Sequence, residues 1–301
     1  MAKARAIAQR RRAVNNIKKI THTMQLIATA RFQRSLNRAI GTRPYTDKIT
    51  ELVQQVSRAG GSVTHPLLKK NEEAKRRAVL LITSKRGLCG GYNANLIRTA
   101  TSLMNRNHDA GYETDLHIVG KKGVSYYRFL GRKIERTYPE LPDAPSFAQV
   151  EPIAVSFMRD YEAGGYSAVD VVYMRFISVA RQQPDELRLL PIEAVEKVAG
   201  EAETTEAGAE ARAGGEIQYD FSPEPEQLLA ELLPVTVKVR LFQCFCDAVV
   251  SENVARMVAM KAATDAANEM TRMLSQRFNR ARQTQITMEL LDIMGGVEAL
   301  K

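Results

Sequence analysis

Arg86-Gly87-Leu88-Cys89-Gly90-Gly91-Tyr92-Asn93 is the stretch of this 301-residue chain whose residue types and spacing come nearest to a chemical motif. It follows a short apolar run, Ala78 to Thr83, and leads into a helical pattern. Doubly wound folds hold phosphates at such strand-to-helix turns, because free backbone N–H groups and the helix N-terminus attract anions. The spacing is neither G-x-G-x-x-G nor G-x-x-x-x-G-K-[ST], and backbone conformation alone accounts for Gly87, Gly90 and Gly91. The expectation is a structural turn that holds no cofactor.

Other chemistries find less support. His22, His65, His108 and His117 are scattered and form no H-E-x-x-H, and Cys244 and Cys246, two apart on a helix, point their thiols to nearly opposite sides. No G-x-S-x-G occurs and no carboxylate pair stands out, so neither a metal site nor a catalytic residue is expected. With Cys89 the thiols number three, few and odd, which suits a reducing compartment. No stretch approaches the roughly 18 uncharged residues of a membrane-spanning helix, which excludes an integral membrane protein.

The elements around the turn fall into two kinds. Ala78 to Thr83, Leu116 to Val119 and Val169 to Ile177 are apolar runs alternating with helical stretches near 93–107, 123–130 and 147–162. Strand then helix, repeated, predicts a buried parallel sheet with helices on its faces, and Leu187 to Ile192 returns antiparallel because 180–186 is too short for a crossover. Residues 199–216 carry five Glu, one Arg and four Gly with no large apolar side chain, which predicts a mobile acidic loop. Ile217 to Phe221 reads as a short edge strand, and Pro223 and Pro225 as a boundary.

Both ends of the chain are helical instead. Ala13, Ile17, Ile20, Met24 and Ile27 recur at spacings of 4, 3, 4 and 3, continued by Phe32, Leu36 and Ile40, with Gly41 and Pro44 expected to break or kink the helix before it ends at Gly60-Gly61. A short helix is expected up to Pro234, and from Val235 to Met294 neither proline nor glycine occurs. That stretch reads as one helix of roughly 90 Å, striped by Ala263, Ala267, Met270, Leu274, Phe278 and Ala281 and stopped by Gly295-Gly296. A helix longer than a compact chain is wide needs a partner for its stripe, and only the other terminal helix offers one. Ala262, Ala263, Ala266 and Ala267 would let the two backbones approach. The fold class is thus α/β plus long α: a coiled coil of the N- and C-terminal helices, residues 1–60 and 223–301, with a central α/β domain over 75–222.

Charge separates the same regions. Eleven Lys or Arg residues and no acid precede Asp47, leaving 32 basic and 34 acidic groups for residues 47–301. An Arg-rich, acid-free start suits a transit peptide, but the helical apolar spacing runs on through it. The cationic helix could meet nucleic acid phosphates or an acidic protein surface, and a basic coiled-coil nucleic-acid-binding or scaffolding protein is the alternative reading.

Two blocks carry a resemblance. Lys19 to Ala30 (KITHTMQLIATA) and Ala255 to Asp265 (ARMVAMKAATD), continued by Asn279 to Gln283 (NRARQ) and Ile286-Thr287, together with RGLCGGYNAN between them, resemble the γ subunits of F-type ATP synthases. The likeness runs from the first residues to Leu300. It implies an antiparallel coiled coil of the N- and C-terminal helices with a central Rossmann-like α/β domain, and a central-stalk rotor without a catalytic site of its own, which couples proton flow through the membrane c-ring to ATP synthesis at the β subunits. The implied partners are the hexamer of α and β subunits, the ε subunit and the c-ring, with no cofactor and no nucleic acid.

The resemblance also implies roles for residues. Arg282 and Gln283 would bond an acidic loop of one β subunit, Lys18, Lys19 and Met24 would lie near an acidic lever of β, and Ile286, Leu290, Leu291 and Met294 would form a bearing inside the hexamer. His22, Thr23 and Gln25 stand where many members have Lys, Ala and Glu. The 199–216 segment has no cysteine, so thiol control is not expected. The chain starts where the family starts, which implies the cytoplasmic side of a bacterial plasma membrane and a peripheral association.

Overall fold

A computed structural model describes residues 2–59, 65–192 and 225–299. The expected loop at 199–216 and edge strand at 217–221 lie outside the described residues, as do Gly60, Gly61 and Pro223. In chain order the elements are α1 (Ala2–Ala59), β1 (Arg76–Ile82), α2 (Tyr92–Asp109), β2 (Glu113–Val119), α3 (Lys121–Phe129), β3 (Arg136–Thr137), α4 (Phe147–Glu162), β4 (Ala168–Phe176), β5 (Gln182–Leu190) and α5 (Pro225–Ala299). They form two compact units. The sheet unit comprises Arg34–Gly87 and Gly91–Glu252; the helix-pair unit comprises Met1–Gln33, Leu88–Gly90 and Asn253–Lys301.

In the sheet unit the strand order is β3-β2-β1-β4-β5, parallel except for β5, which runs antiparallel to β4. The central strands β1, β2 and β4 are buried along most of their length because both faces are covered, and they are apolar apart from a few residues such as Asp115, His117 and Asp170. On one face Gly123 of α3 approaches Ile118, and a Cβ there would stand 3.0 Å from the Ile118 side chain. On the other, the Phe157 ring of α4 meets His117 edge-on at 4.9 Å. Adjacent residues of one strand thus serve opposite layers. Part of α5 is itself embedded, with Cys244 to Ala248 buried in succession, so this length of helix has no solvent face.

The terminal helices run further than the breaker residues predict. α1 continues through Gly41 and Pro44, and α5 through Pro234 and the Gly295-Gly296 pair. Each proline removes one N–H, but the carbonyls left without a partner belong to Ile40 and Ala230, both exposed residues where water can serve instead. Glycine in a helix costs only about 1 kcal/mol relative to alanine, too little to stop one.

In the helix-pair unit the helices pack antiparallel, but up to Ala28 through a different face of α1 than the apolar stripe predicts. Val14, Thr21, Ala28 and Phe32 are buried there, whereas Ile17 is 54% exposed, Ile20 57% and Ile27 49%. Val14, Thr21 and Ala28 sit one residue after the expected Ala13, Ile20 and Ile27, a turn of about 100° around the axis, whereas Phe32 is a position of the expected stripe that does pack. On α5, Met260, Thr264, Ala267 and Leu274 are buried and Met270 is exposed. Val14, Ala267 and Leu274 cluster with Ile7, Arg11 lies 5.2 Å over the Phe278 ring, and the Thr21 and Thr264 hydroxyls meet at 2.8 Å. Of the four alanines expected at the contact, Ala262 and Ala266 are exposed, and Ala267 alone is buried.

Candidate functional site

The glycine-rich turn is built to close on itself. The Ser84 N–H donates to Asn93 Oδ1 (3.0 Å), Asn93 Nδ2 donates to Ser84 Oγ (2.8 Å), and the Ser84 hydroxyl lies 2.6 Å from the Arg86 carbonyl. The amides that open α3 are likewise occupied, Gly123 N–H by Thr83 Oγ1 (3.1 Å) and Lys122 N–H by the Ser84 carbonyl (3.2 Å). Anion-binding turns leave such donors open to a ligand. Among the three glycines expected to need the turn's geometry, only Gly90 has a positive φ, at +57°. Gly91 has an ordinary φ of −79° as the residue before α2, and Leu88, a non-glycine, takes φ +63°.

In open α/β sheets ligands bind beyond the carboxyl ends of the strands where the strand order reverses, here between β1 and β4. That place is taken by α5. Beside it, past the ends of β1 and β2 at Ile82 and Val119, Phe245, Ala248, Val249 and Glu252 of α5 line a cavity of about 30 Å³ with room for about one water. Tyr92 donates its hydroxyl to the Ala248 carbonyl (3.2 Å), and Ser251 donates to the Met174 carbonyl (3.2 Å). No group of His, Cys, Asp or Glu able to hold a metal occurs among the described residues. Burial pushes the Cys244 thiol up and the Cys246 thiol up to about 11, the reverse of an activated nucleophile.

The residues with implied contact roles stand on the helix-pair unit. Lys18 is half-buried at the helix contact, Lys19 and Met24 are exposed beside it, and Arg282 and Gln283 are exposed on α5. Arg282 has no ion-pair partner among the described residues. Ile286, Leu290, Leu291 and Met294 continue the helix with exposures between 49% and 67%, apolar surface that this unit does not cover.

A sequence profile of the ATP synthase family matches residues 3–300. An ATP synthase gamma chain of Rhodopirellula baltica is 41% identical over all of both chains, and one from Frankia casuarinae is 38% identical over 98% of this chain and 97% of its own. The chain belongs to the ATP synthase γ chain family. As a γ chain it is a subunit of the ATP synthase complex. Among solved structures, the fold resembles chains of the Euglena gracilis mitochondrial ATP synthase. One, from the rotor in rotational state 1, has a TM-score of 0.63 at 18% identity over 95% of this chain and 99% of the other. The second, from the assembly of OSCP, F1 and c-ring in state 3, has a TM-score of 0.66 at 19% identity over 99% and 95%.

Sequence reasoning missed a polar relay of this γ chain that joins α1, β4 and α5. The Arg43 guanidinium donates to the Phe176 carbonyl at the end of β4 (3.1 Å) and stands 3.8 Å from Asp247. Gln243 donates to Asp247 (3.0 Å), and its carbonyl oxygen lies 3.0 Å from the Thr42 hydroxyl. The available signal was Asp247 itself, an acid inside the otherwise uncharged run Leu241 to Val250.

Proposed function

We propose that this γ chain is the central-stalk rotor of an ATP synthase, carrying rotation driven by proton flow through a c-ring to the catalytic sites of a hexamer of α and β subunits, with ε as a further partner. The observation that carries this reading is the inverted surface of the helix-pair unit. Thr21, Ala28, Thr264 and Ala267 face inward while Ile17, Ile20, Ile27, Leu290 and Leu291 face out, beside an acid-free run of cations. A helix pair that exposes this many large apolar residues is made to be sheathed by other chains.

Each exposed group has a distinct task in this reading. Dispersion and apolar contacts are non-directional, so Ile286, Leu290, Leu291 and Met294 can turn within a ring of similar residues as a bearing. A guanidinium pairs with carboxylates only at certain angles, so Arg282, with Gln283 beside it, meets one β subunit at a time. Lys18 and Lys19, with Met24, present charge to an acidic β surface. Affinity at each catalytic site then changes with rotor angle because the contacts differ with angle. The chain has no catalytic role of its own in this scheme. No described helix is long and apolar enough to cross a membrane, and the chain is peripheral, held on the cytoplasmic side of a bacterial inner membrane through its partners.

Expression in a bacterium lacking its own γ chain tests the reading. Copurification with α, β and ε and recovery of ATP-driven proton pumping are expected. Recovery of the chain with nucleic acid and without those subunits, in a complex that dissolves steeply with salt, would refute it.

A further inference from the structure

A rotor must hand torque from its sheet unit to its long helices, and apolar packing does this poorly because a helix can turn in an apolar socket. Resistance to turning requires directional bonds between elements. Within the sheet unit Arg43 is a side chain of that kind at which the two long helices and the sheet meet. Arg43 leaves α1, donates to the carbonyl that ends β4, and faces the α5 carboxylate of Asp247. Asp247 is only 6% exposed and is held by Gln243, one helical turn earlier, which also meets Thr42 of α1. Burial raises the Asp247 carboxyl, and Arg43 and Gln243 draw it back toward the charged form.

We propose that Arg43 is a torque key: positioned by Asp247, it locks α1 and α5 to the carboxyl end of β4, so that rotation of the sheet unit becomes rotation of the helices. Arg43 and Asp247 are positioning residues that touch no substrate. One guanidinium nitrogen donates to the Phe176 carbonyl and is attracted by the Asp247 carboxylate 3.8 Å away, so a twist of α1 misaligns the hydrogen bond and a twist of α5 carries off the charge that holds Arg43 in place. The proposal rests on the rotor reading.

The test uses the assembled complex in inverted membrane vesicles, with ATP-driven proton uptake measured beside ATP hydrolysis by the catalytic sector detached from the membrane. Arg43→Gln is expected to leave detached-sector hydrolysis within about two-fold of wild type and to lower pumping by roughly ten-fold, the factor one charged hydrogen bond supplies. Arg43→Lys should recover part of the pumping. Asp247→Asn, which keeps size and the Gln243 bond, should lower pumping in the same direction by less, and it serves where Arg43→Gln fails to assemble. Pumping in both variants that stays in proportion to hydrolysis, whether both are unchanged or both fall by one factor, overturns the key. A wild-type chain that restores neither hydrolysis nor pumping refutes the rotor reading instead.

Discussion

Leu80, Leu81, Leu116 and Ile118 are fully buried in the sheet unit, while in the helix-pair unit Ile17, Ile20 and Leu26 are each more than half exposed. The first region covers its large apolar residues with its own helices. The second mixes small and polar residues (Thr21, Ala28, Thr264, Ala267) with a few large ones at its inner positions and keeps most of its isoleucines and leucines outside. A buried leucine contributes about 1.5–3 kcal/mol, so the sheet unit can hold itself together, whereas a contact built on Val14, Ala267 and Leu274 leans on whatever surrounds it. Stability intrinsic to the chain and stability supplied by assembly are thus separated along one polypeptide.

The sharpest way to break this contrast is to truncate one apolar residue in each region. Leu81→Ala opens a cavity among buried strands and is expected to cost about 2–5 kcal/mol, read as a fall in the urea midpoint of the isolated chain. Ile20→Ala should change the stability of the isolated chain by less than about 0.5 kcal/mol, yet weaken retention by the α and β subunits during gel filtration. Equal losses in the isolated chain would mean that Ile20 packs internally and that the outer face is not reserved for partners.

The next effect separates two parts of the exposed surface. Arg282→Ala with Gln283→Ala should leave the complex assembled but lower steady-state ATP synthesis and hydrolysis strongly, the lost charged bond being worth about 1.5–3 kcal/mol. Leu290→Ala with Leu291→Ala should mainly reduce assembly. Purified Arg282 and Gln283 variants of full subunit content and unchanged turnover would remove the coupling role assigned to them.

A smaller effect belongs to the sheet unit alone. His117 is 6% exposed, with Phe157 against its ring and Tyr138 Oη 3.3 Å from Nδ1. Burial lowers its pKa, a shift only partly opposed by the nearby acids Asp115, Glu135 and Asp160 and aided by Arg136. A depressed folded pKa means that the unfolded chain binds the proton more readily. The stability contribution is complete above the unfolded value of about 6.5, declines as pH falls below it, and is gone once pH passes the folded value. Each unit of depression corresponds to about 1.4 kcal/mol. Urea midpoints between pH 7.5 and 5 should fall less steeply in His117→Gln than in wild type; parallel curves would discount His117.

The contrast also explains what could be read from residues alone. The strands were legible because Ala78 to Thr83 and Val169 to Ile177 are apolar on both faces, a pattern that only covered strands tolerate. The helix contact was misread because hydrophobicity ranks Ile17, Ile20 and Ile27 above Thr21 and Ala28, although small residues are what let two backbones approach. Pro44 and Pro234 misled because a proline breaks a helix only where the freed carbonyl has no other partner. The roles of Arg282 and Gln283 came from resemblance, since exposed side chains carry no periodic signal of what they will touch. Asp247 was visible as an acid in an apolar run, but its partners lie 204 and 4 residues away and no spacing rule joins the first.

The smallest predicted effect probes the polar positions at the centre of the helix pair. Thr21 and Thr264 are each 8% exposed, and one hydroxyl hydrogen bridges them at 2.8 Å. Either hydroxyl can also donate along its own helix, Thr21 to the Lys18 carbonyl (3.1 Å) and Thr264 to the Met260 carbonyl (2.8 Å), so whichever gives up the bridge still has an acceptor. Replacing one threonine by valine therefore leaves no orphaned donor, and replacing both keeps the shape and removes a pair of polar groups from a buried contact. Double substitution with apolar groups of the same shape is close to neutral, while the bridge itself is worth about 0.5–1.5 kcal/mol. A double-mutant cycle of Thr21→Val and Thr264→Val, measured by urea unfolding, should give a coupling within that range and a double variant about as stable as wild type. A coupling of zero would mean that the hydroxyls do not bridge in solution. A double variant destabilised as severely as Leu81→Ala would erase the contrast, because it would make this helix contact as demanding of its side chains as the buried sheet.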